Sequence, residues 1–315
     1  MGLTAPRLPA EWEPHARCFV AWPGHETHPA ALVSYATAGW EEAIRAVAQF
    51  EPVTVVAKPG WGRNAEAALG HSVEVVELPL DEVWLRDYGP LFVEDGGGLV
   101  AVDFGFDVWG ARKRPYPEDG VLGRHLAEWL GIRREVAPLV VEGGAVTSDG
   151  RGTLIAVESS VIDEARNPGI GRDEVEETLA RFLGADRVIW LPYGIVEDDP
   201  KGGHVDNVAR FVGPGRVLSA VARDDPNRGR LDTNRGVLQR AGLELVDVEI
   251  TAFEANFYIG NSCVIVPVAR PDPPMLAVLA ELFPDREIVP IPGTNLARCA
   301  GGIHCITLEQ PSLGE

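Results

Sequence analysis

The sequence predicts an α/β fold assembled from one supersecondary unit repeated about five times. Two observations carry this expectation. Helical stretches with apolar residues at 3.6 spacing alternate with short apolar runs of strand length along the whole chain. Each unit of helix, strand, loop and strand also ends near a distinctive polar residue, and these five, Asp87, Glu142, His204, Asn261 and Cys305, are separated by 55, 62, 57 and 44 residues. A near-fixed period marks repeated units around a common centre, whereas plain α/β alternation leaves its loop residues unrelated. Such repetition lets 315 residues form a single domain, 1–315, without one oversized core.

The elements follow in order. Residues 18–22 read as an opening strand, followed by a polar loop and a helix whose apolar side carries Trp40, Ile44, Val47 and Ala48. Strand 53–57, a short helix over 63–69 and strand 73–78 lead to the loop Val83-Trp84-Leu85-Arg86-Asp87-Tyr88-Gly89-Pro90, then to strands 91–93 and 99–104. A helix over 121–130 precedes strand 139–141, which ends in Glu142-Gly143-Gly144, and strand 153–157. Helix 173–183 places Val175, Leu179, Phe182 and Leu183 on one face, with Asp173 in its first turn. After strand 188–191, the run Gly203-His204-Val205-Asp206-Asn207-Val208-Ala209-Arg210-Phe211 reads as a strand with His204 and Asp206 on one face. Helix 232–241 and strand 243–250 lead to Asn256-Phe257-Tyr258-Ile259-Gly260-Asn261 and strand 262–268. Pro271-Asp272-Pro273-Pro274 reads as the start of helix 275–282. Strand 288–290 and a last strand through Ala300-Gly301-Gly302-Ile303-His304-Cys305-Ile306-Thr307-Leu308 complete the chain.

Composition narrows the partners. A balance of 47 acidic against 28 basic residues leaves a net charge of −19, which opposes nucleic acid and anionic membrane surfaces and attracts a small cation. Cys18, Cys263, Cys299 and Cys305 lack the spacing of a disulfide framework or a zinc pattern, so reduced thiols in a cytoplasm are expected. The first residues lack the basic-then-apolar pattern of an export signal.

Cys305 is the candidate nucleophile: it follows a glycine pair that lets a ligand approach the backbone closely. A thiol becomes a thiolate only beside a base or cation, and His204 with Asp206 is the best offer in the chain. His304, its neighbour on an expected strand, should point to the opposite face and is read as structural. The other three cysteines are read as packing residues. His204 and Asp206 also suit a zinc or iron site, but no H-x-x-x-H or H-x-x-E-H spacing supplies a third ligand. Gly169-Ile170-Gly171 follows Asn167-Pro168 rather than a strand, which removes it from dinucleotide binding.

Taken together, Leu8-Pro9-Ala10-Glu11-Trp12-Glu13-Pro14-His15, Trp84-Leu85-Arg86-Asp87-Tyr88-Gly89-Pro90, Glu142-Gly143-Gly144, Gly203-His204-Val205-Asp206-Asn207, Asn256-Phe257-Tyr258 and Gly301-Gly302-Ile303-His304-Cys305-Ile306-Thr307 resemble the agmatine deiminase family of guanidine-modifying enzymes. The resemblance implies the pentein fold, a five-bladed α/β propeller with its active site in the central channel. It also implies that Cys305 is the nucleophile, His204 the general acid and base, and Glu142 the acid beside the histidine. Asp87 and Asp206 would hold the guanidinium, with Trp84 and Asp199 added to the substrate-binding set. The expected reaction converts agmatine to N-carbamoylputrescine and ammonia through a Cys S-alkylthiouronium intermediate. No metal or cofactor is called for, the partner is a small cationic guanidino substrate, and a homo-oligomer is compatible with this reading.

Two segments depart from the family pattern. Asp199-Pro200-Lys201-Gly202 stands where an acidic residue, Asp and Thr usually precede the Gly-His pair, and the segment between Ala220 and Asn256 is short. Both lie where the far end of the substrate would be read. Glu197, Asp198 or Asp199 would suit a terminal ammonium, and Lys201 or Arg298 an α-carboxylate. The alternatives are therefore a deiminase of arginine, peptidyl arginine or another alkylguanidine, or a catalytically silent small-cation-binding protein of the same fold. A cysteine peptidase fits less well, because the carboxylates outnumber what a thiol–imidazole pair needs.

Overall fold

The computed structural model describes residues 5–24, 32–111, 117–223, 226–250, 253–269 and 274–314. Among them, sixteen strands form five sheets, and each sheet repeats one motif. An antiparallel hairpin comes first. Its second strand then crosses over through a helix to a parallel third strand, as parallel pairing requires.

The first sheet contains β1 (His15–Ala21), β2 (Val53–Ala57) and β3 (Glu74–Glu77), with helix α1 (Val33–Val47) between β1 and β2. The second contains β4 (Leu91–Asp95), β5 (Gly98–Gly105), α2 (Leu122–Leu130) and β6 (Arg133–Val140). The third contains β7 (Val146–Ser148), β8 (Thr153–Val157), α3 (Arg172–Leu183) and β9 (Arg187–Leu191). The fourth contains β10 (Ala209–Gly213), β11 (Arg216–Val221), α4 (Asn227–Arg240) and β12 (Glu244–Glu249), and the fifth β13 (Tyr258–Ile259), β14 (Cys263–Val268), α5 (Pro274–Leu282) and β15 (Glu287–Pro292). The last strand, β16 (Thr307–Pro311), returns to pair antiparallel with β1. The first blade thereby takes its hairpin from both ends of the chain and closes the ring. This is the five-bladed α/β propeller that the family resemblance implies.

Local sequence explains the pieces. Gly96 and Gly97 join β4 to β5 with φ of 62° and 80°, the two-residue turn with positive φ at both positions that matches strand twist. Helix α3 buries Val175, Leu179, Phe182 and Leu183, carries Asp173 and Glu174 in its first turn, and stops at Gly184 in the left-handed conformation. The buried apolar residues fall into three clusters, one of which runs from Cys18 and Trp40 through Trp84 to Cys305 and Leu308. Among the described residues, no helix is long and apolar enough to cross a membrane.

Several expectations need correction. The runs through His204 and Cys305 are not continuous strands: Val205–Asn207 and Ile303–Ile306 are single helical turns, and pairing begins only at Ala209 and Thr307. A short apolar run does not distinguish a strand from a tight turn. Gly203, with φ of 80° and its Cα against Gly194, supplies a backbone conformation that a strand does not use. Strand β6 starts well before 139, because its charged first half lies on the exposed side of the sheet. Asn261 docks the entering chain through both backbone groups of His15, and Asn256 is the residue that enters the centre in its place. The expected polar loop after Trp22 and most of the proline-rich helix start lie outside the described residues.

Candidate active site

Every blade presents its central residue on the turn that enters its first hairpin strand. Asp87 lies in the turn Leu85–Tyr88 before β4, and Glu142 precedes the turn Gly143–Ala145 that leads to β7. His204 and Asp206 come with Val205–Asn207, Asn256 stands just before β13, and Cys305 lies in Ile303–Ile306. The turn Leu85–Tyr88 packs on both Gly143–Ala145 and Ile303–Ile306, while Gly143–Ala145 packs on Val205–Asn207. Residues far apart in sequence therefore meet because they occupy equivalent positions in a closed ring.

The geometry is compact. His204 Nδ1 lies 3.6 Å from Asp87 Oδ1, and its Nε2 lies 3.8 Å from Glu142 Oε2. Cys305 Sγ donates to Asp206 Oδ2 at 3.6 Å, and Cys305 N donates to Asn256 Oδ1 at 3.1 Å. Asn256 Nδ2 donates to the same Asp206 oxygen at 2.9 Å. A Cβ added to Gly144 would meet Asp87 Oδ1 at 2.8 Å, His204 Nδ1 at 3.0 Å and Asp206 Oδ2 at 3.2 Å, so this glycine keeps the space between them open. Asp87 Oδ1, Asp206 Oδ1 and His204 Nε2 are buried without a hydrogen bond among the described residues. Buried polar atoms of that kind call for a partner, and the N–H edges of a planar cation supply one to each carboxylate.

Further side chains hold these groups, Arg166 and Trp109 among them without being singled out by the sequence. Arg166 Nε donates to both oxygens of Glu142 at 2.8 and 3.1 Å, and its Nη2 donates to Lys201 O at 2.5 Å. Asp198 Oδ2 accepts from His204 N at 2.6 Å and from Asn207 Nδ2 at 3.2 Å. Trp109 Nε1 donates to Asp87 Oδ2 at 2.9 Å. His304 corrects an expectation: the helical turn brings its Nδ1 to 2.9 Å from Asp206 Oδ2, and its Nε2 to 3.2 Å from Glu11 Oε1. Arg86 clamps Glu309 with two bonds and anchors the Asp87 turn to β16. Of the expected substrate-binding residues, Trp84 is buried beside Trp40 and under the ammonium of Lys201. Asp199 is turned outward and paired with Arg230 at 2.5 and 3.0 Å, and its neighbour Asp198 faces the centre instead. Among the described residues, no group of three or more His, Cys, Asp or Glu side chains is arranged to hold a metal ion, so His204 and Asp206 gain no third ligand.

Electrostatics assign the protons. Burial opposes the imidazolium of His204, but the carboxylates around it, led by Asp87, Asp198 and Glu142, outweigh burial and raise its pKa. Burial and then Asp206 push the Cys305 thiol well above its ordinary value, with Lys201 pulling the other way. Burial raises Glu142 despite Arg166. Asp206 is held below its ordinary value because the hydrogen bond and charge of His304 overcome burial. The resting site thus holds a neutral thiol and an imidazole whose proton the surrounding carboxylates favour, a charge distribution that an incoming cation would change.

Comparisons with known proteins place the chain among enzymes that act on guanidino groups. A family model described as Porphyromonas-type peptidyl-arginine deiminase matches residues 7–311. An agmatine deiminase of Pseudomonas aeruginosa is 34% identical, with 97% of this chain and 95% of that protein covered. The solved structure of the agmatine deiminase of Enterococcus faecalis, catalysing its reaction, superposes with a TM-score of 0.91 at 25% identity, covering 98% of this chain and 97% of that one. A dimethylarginine dimethylaminohydrolase shares the fold alone, at a TM-score of 0.52 and 16% identity over 94% of this chain and 99% of that one.

Proposed function

This chain belongs to the Porphyromonas-type peptidyl-arginine deiminase family, and from that membership we propose that it is a hydrolase converting agmatine to N-carbamoylputrescine and ammonia. The observation that carries the reading is the pair of buried carboxylates, Asp87 and Asp206, each with an oxygen free of hydrogen bonds, beside the Cys305 thiol. A guanidinium is planar, permanently charged and a poor electrophile. Two carboxylates fix it by charge-assisted hydrogen bonds along its edges, and the fixed geometry presents its central carbon to sulfur.

Binding of the cation offsets the negative charge of Asp87 and Asp206, so the thiol gives up its proton more readily, to water, from which the released ammonia regains it as ammonium. Sulfur adds to the guanidinium carbon. His204 supplies the proton with which one nitrogen leaves as ammonia, and an S-alkylthiouronium remains on Cys305. His204, now neutral, takes a proton from water as its oxygen adds to the same carbon. The C–S bond then breaks to give the ureido product and the free thiol. The sum is one guanidinium and one water converted to one substituted urea and one ammonium ion. In this reading Glu142, fixed by Arg166, sets the orientation of His204 and stabilises its imidazolium.

The net charge of −19 supports a small cationic partner over nucleic acid. The four free, buried cysteines support a reducing, cytoplasmic setting. Ammonia release from agmatine by the wild-type chain, lost in Cys305→Ala, tests the function. A wild-type chain that releases none rejects agmatine as the substrate.

A further inference from the structure

Lys201 is a buried cation beside the central groups that the guanidine chemistry does not use. It ends the turn Val196–Lys201, and Gly202, at φ of 92°, turns the chain so that the lysine side chain runs inward. The residue is 7% exposed. Its Nζ donates to Ala300 O at 3.0 Å and stands 4.6 Å from the ring centre of Trp84 and 5.6 Å from that of Trp109. Trp109 is the indole that holds Asp87 Oδ2, so the ammonium and the guanidinium-binding carboxylate lie against the same aromatic wall.

An ammonium carries three donors, and here one is used, on a main-chain carbonyl. Among the described residues, no carboxylate is in ion-pair contact with it, although Asp198, Asp87 and Asp206 all bear on its charge. Burial opposes the charge on the amine, but those carboxylates outweigh burial and keep Lys201 cationic. Ala300, whose carbonyl grips the lysine, holds a left-handed φ of 69° that is unfavourable for a residue with a side chain. The lysine is thus fixed in the pocket by strained and aromatic surroundings, with donors to spare.

We propose that Lys201 receives a carboxylate on the tail of the substrate, so that the site accepts ω-guanidino carboxylates as a second substrate class beside agmatine. This rests on the deiminase reading of the same site and concerns the end of the substrate that does not react. With the guanidinium fixed on Asp87 and Asp206, a carboxylate tail that reaches Lys201 satisfies its open donors, which the ammonium tail of agmatine leaves unused. Asp199, the expected ammonium partner, is engaged at the surface with Arg230.

The test measures kcat/KM for ammonia release from agmatine, 3-guanidinopropanoate and 4-guanidinobutanoate with wild type, Lys201→Gln, Lys201→Arg and Cys305→Ala. Wild type is expected to turn over at least one guanidino acid. Lys201→Gln is expected to lower the acid-to-agmatine ratio about tenfold or more, with the loss on the acid carried by KM, and Lys201→Arg to retain most of the ratio. A ratio unmoved in Lys201→Gln, or no turnover of any guanidino acid by a wild type active on agmatine, overturns the tail assignment and leaves the deiminase reading in place. Turnover of the acids alone keeps the tail assignment and removes agmatine as the substrate. Undiminished turnover in Cys305→Ala, or none in wild type on any of the three, removes the deiminase reading and this inference with it. Should Lys201→Gln fail to fold, loss of the ratio in a folded Lys201→Arg overturns the assignment and its retention supports it.

Discussion

His304 Nδ1 lies 2.9 Å from Asp206 Oδ2, the same oxygen that Cys305 Sγ faces at 3.6 Å. The immediate neighbour of Cys305 thus holds the carboxylate that faces the thiol and that, in the proposed mechanism, receives the substrate. Because His304 keeps the pKa of Asp206 down, the carboxylate stays charged to lower pH than an ordinary aspartate. Replacing His304 with Ala removes a buried partner worth about 1–3 kcal/mol, so kcat/KM is expected to fall roughly 10- to 100-fold. The sign of the pH effect is fixed as well. Asp206 rises towards its ordinary value, so the acid limb of the profile moves to higher pH, which a purely structural loss would not produce.

Arg166 and Glu142 form an ion pair in which neither side chain is exposed. Burial already pushes Glu142 up, and Arg166 is what restrains it. Arg166→Met removes both hydrogen bonds from the buried carboxylate, leaving it, among the described residues, only His204 at 3.8 Å, and frees the carbonyl of Lys201. The expected cost is about 3–5 kcal/mol in urea unfolding. Because that carboxylate takes up a proton more readily in the variant, the deficit shrinks as the pH falls through the raised value of Glu142.

Cys305 is a neutral thiol at rest, raised by burial and by Asp206. Its alkylation by iodoacetamide is therefore slow at pH 7 and continues to accelerate beyond about pH 8.5, where an ordinary thiol levels off. Asp206→Asn removes a negative charge beside sulfur, and the rate at pH 7 is expected to rise while turnover is lost. A rate that levels off near neutral pH would mean a preformed thiolate.

Gly144→Ala inserts a methyl group between Asp87, His204 and Asp206, at 2.8, 3.0 and 3.2 Å from their nearest atoms. Steric displacement of this order at a reacting site costs about a hundredfold in rate. We expect kcat/KM for agmatine to drop by about that factor while the thermal unfolding midpoint changes little.

Legibility differed between levels of structure for physical reasons. The alternation of helix and strand, and the period of Asp87, Glu142, His204 and Cys305, were readable because each blade reuses one hydrophobic pattern and one entry turn. The fifth mark was misplaced: Asn261 is as polar as Asn256 and lies only five residues away, but it caps the N-terminal strand. His304 was misread because a period of two assumes a strand, and a single helical turn rotates neighbours towards a shared pocket instead. Arg166 and Trp109 carried no local signal, since each acts through a contact made only when distant turns come together. Asp199 and Asp198 differ by one position in a charged run, and only the direction of the turn Val196–Lys201 decides which faces inward.

The most direct test of the central claim is mass analysis of the peptide containing Cys305 after acid quenching of the wild-type chain during turnover of agmatine. Covalent attack by Cys305 predicts an added mass equal to the alkylamidino group on that cysteine, absent when agmatine is omitted and absent in Cys305→Ser. Steady turnover in Cys305→Ser, or an adduct on a different cysteine with Cys305 unmodified, would contradict it.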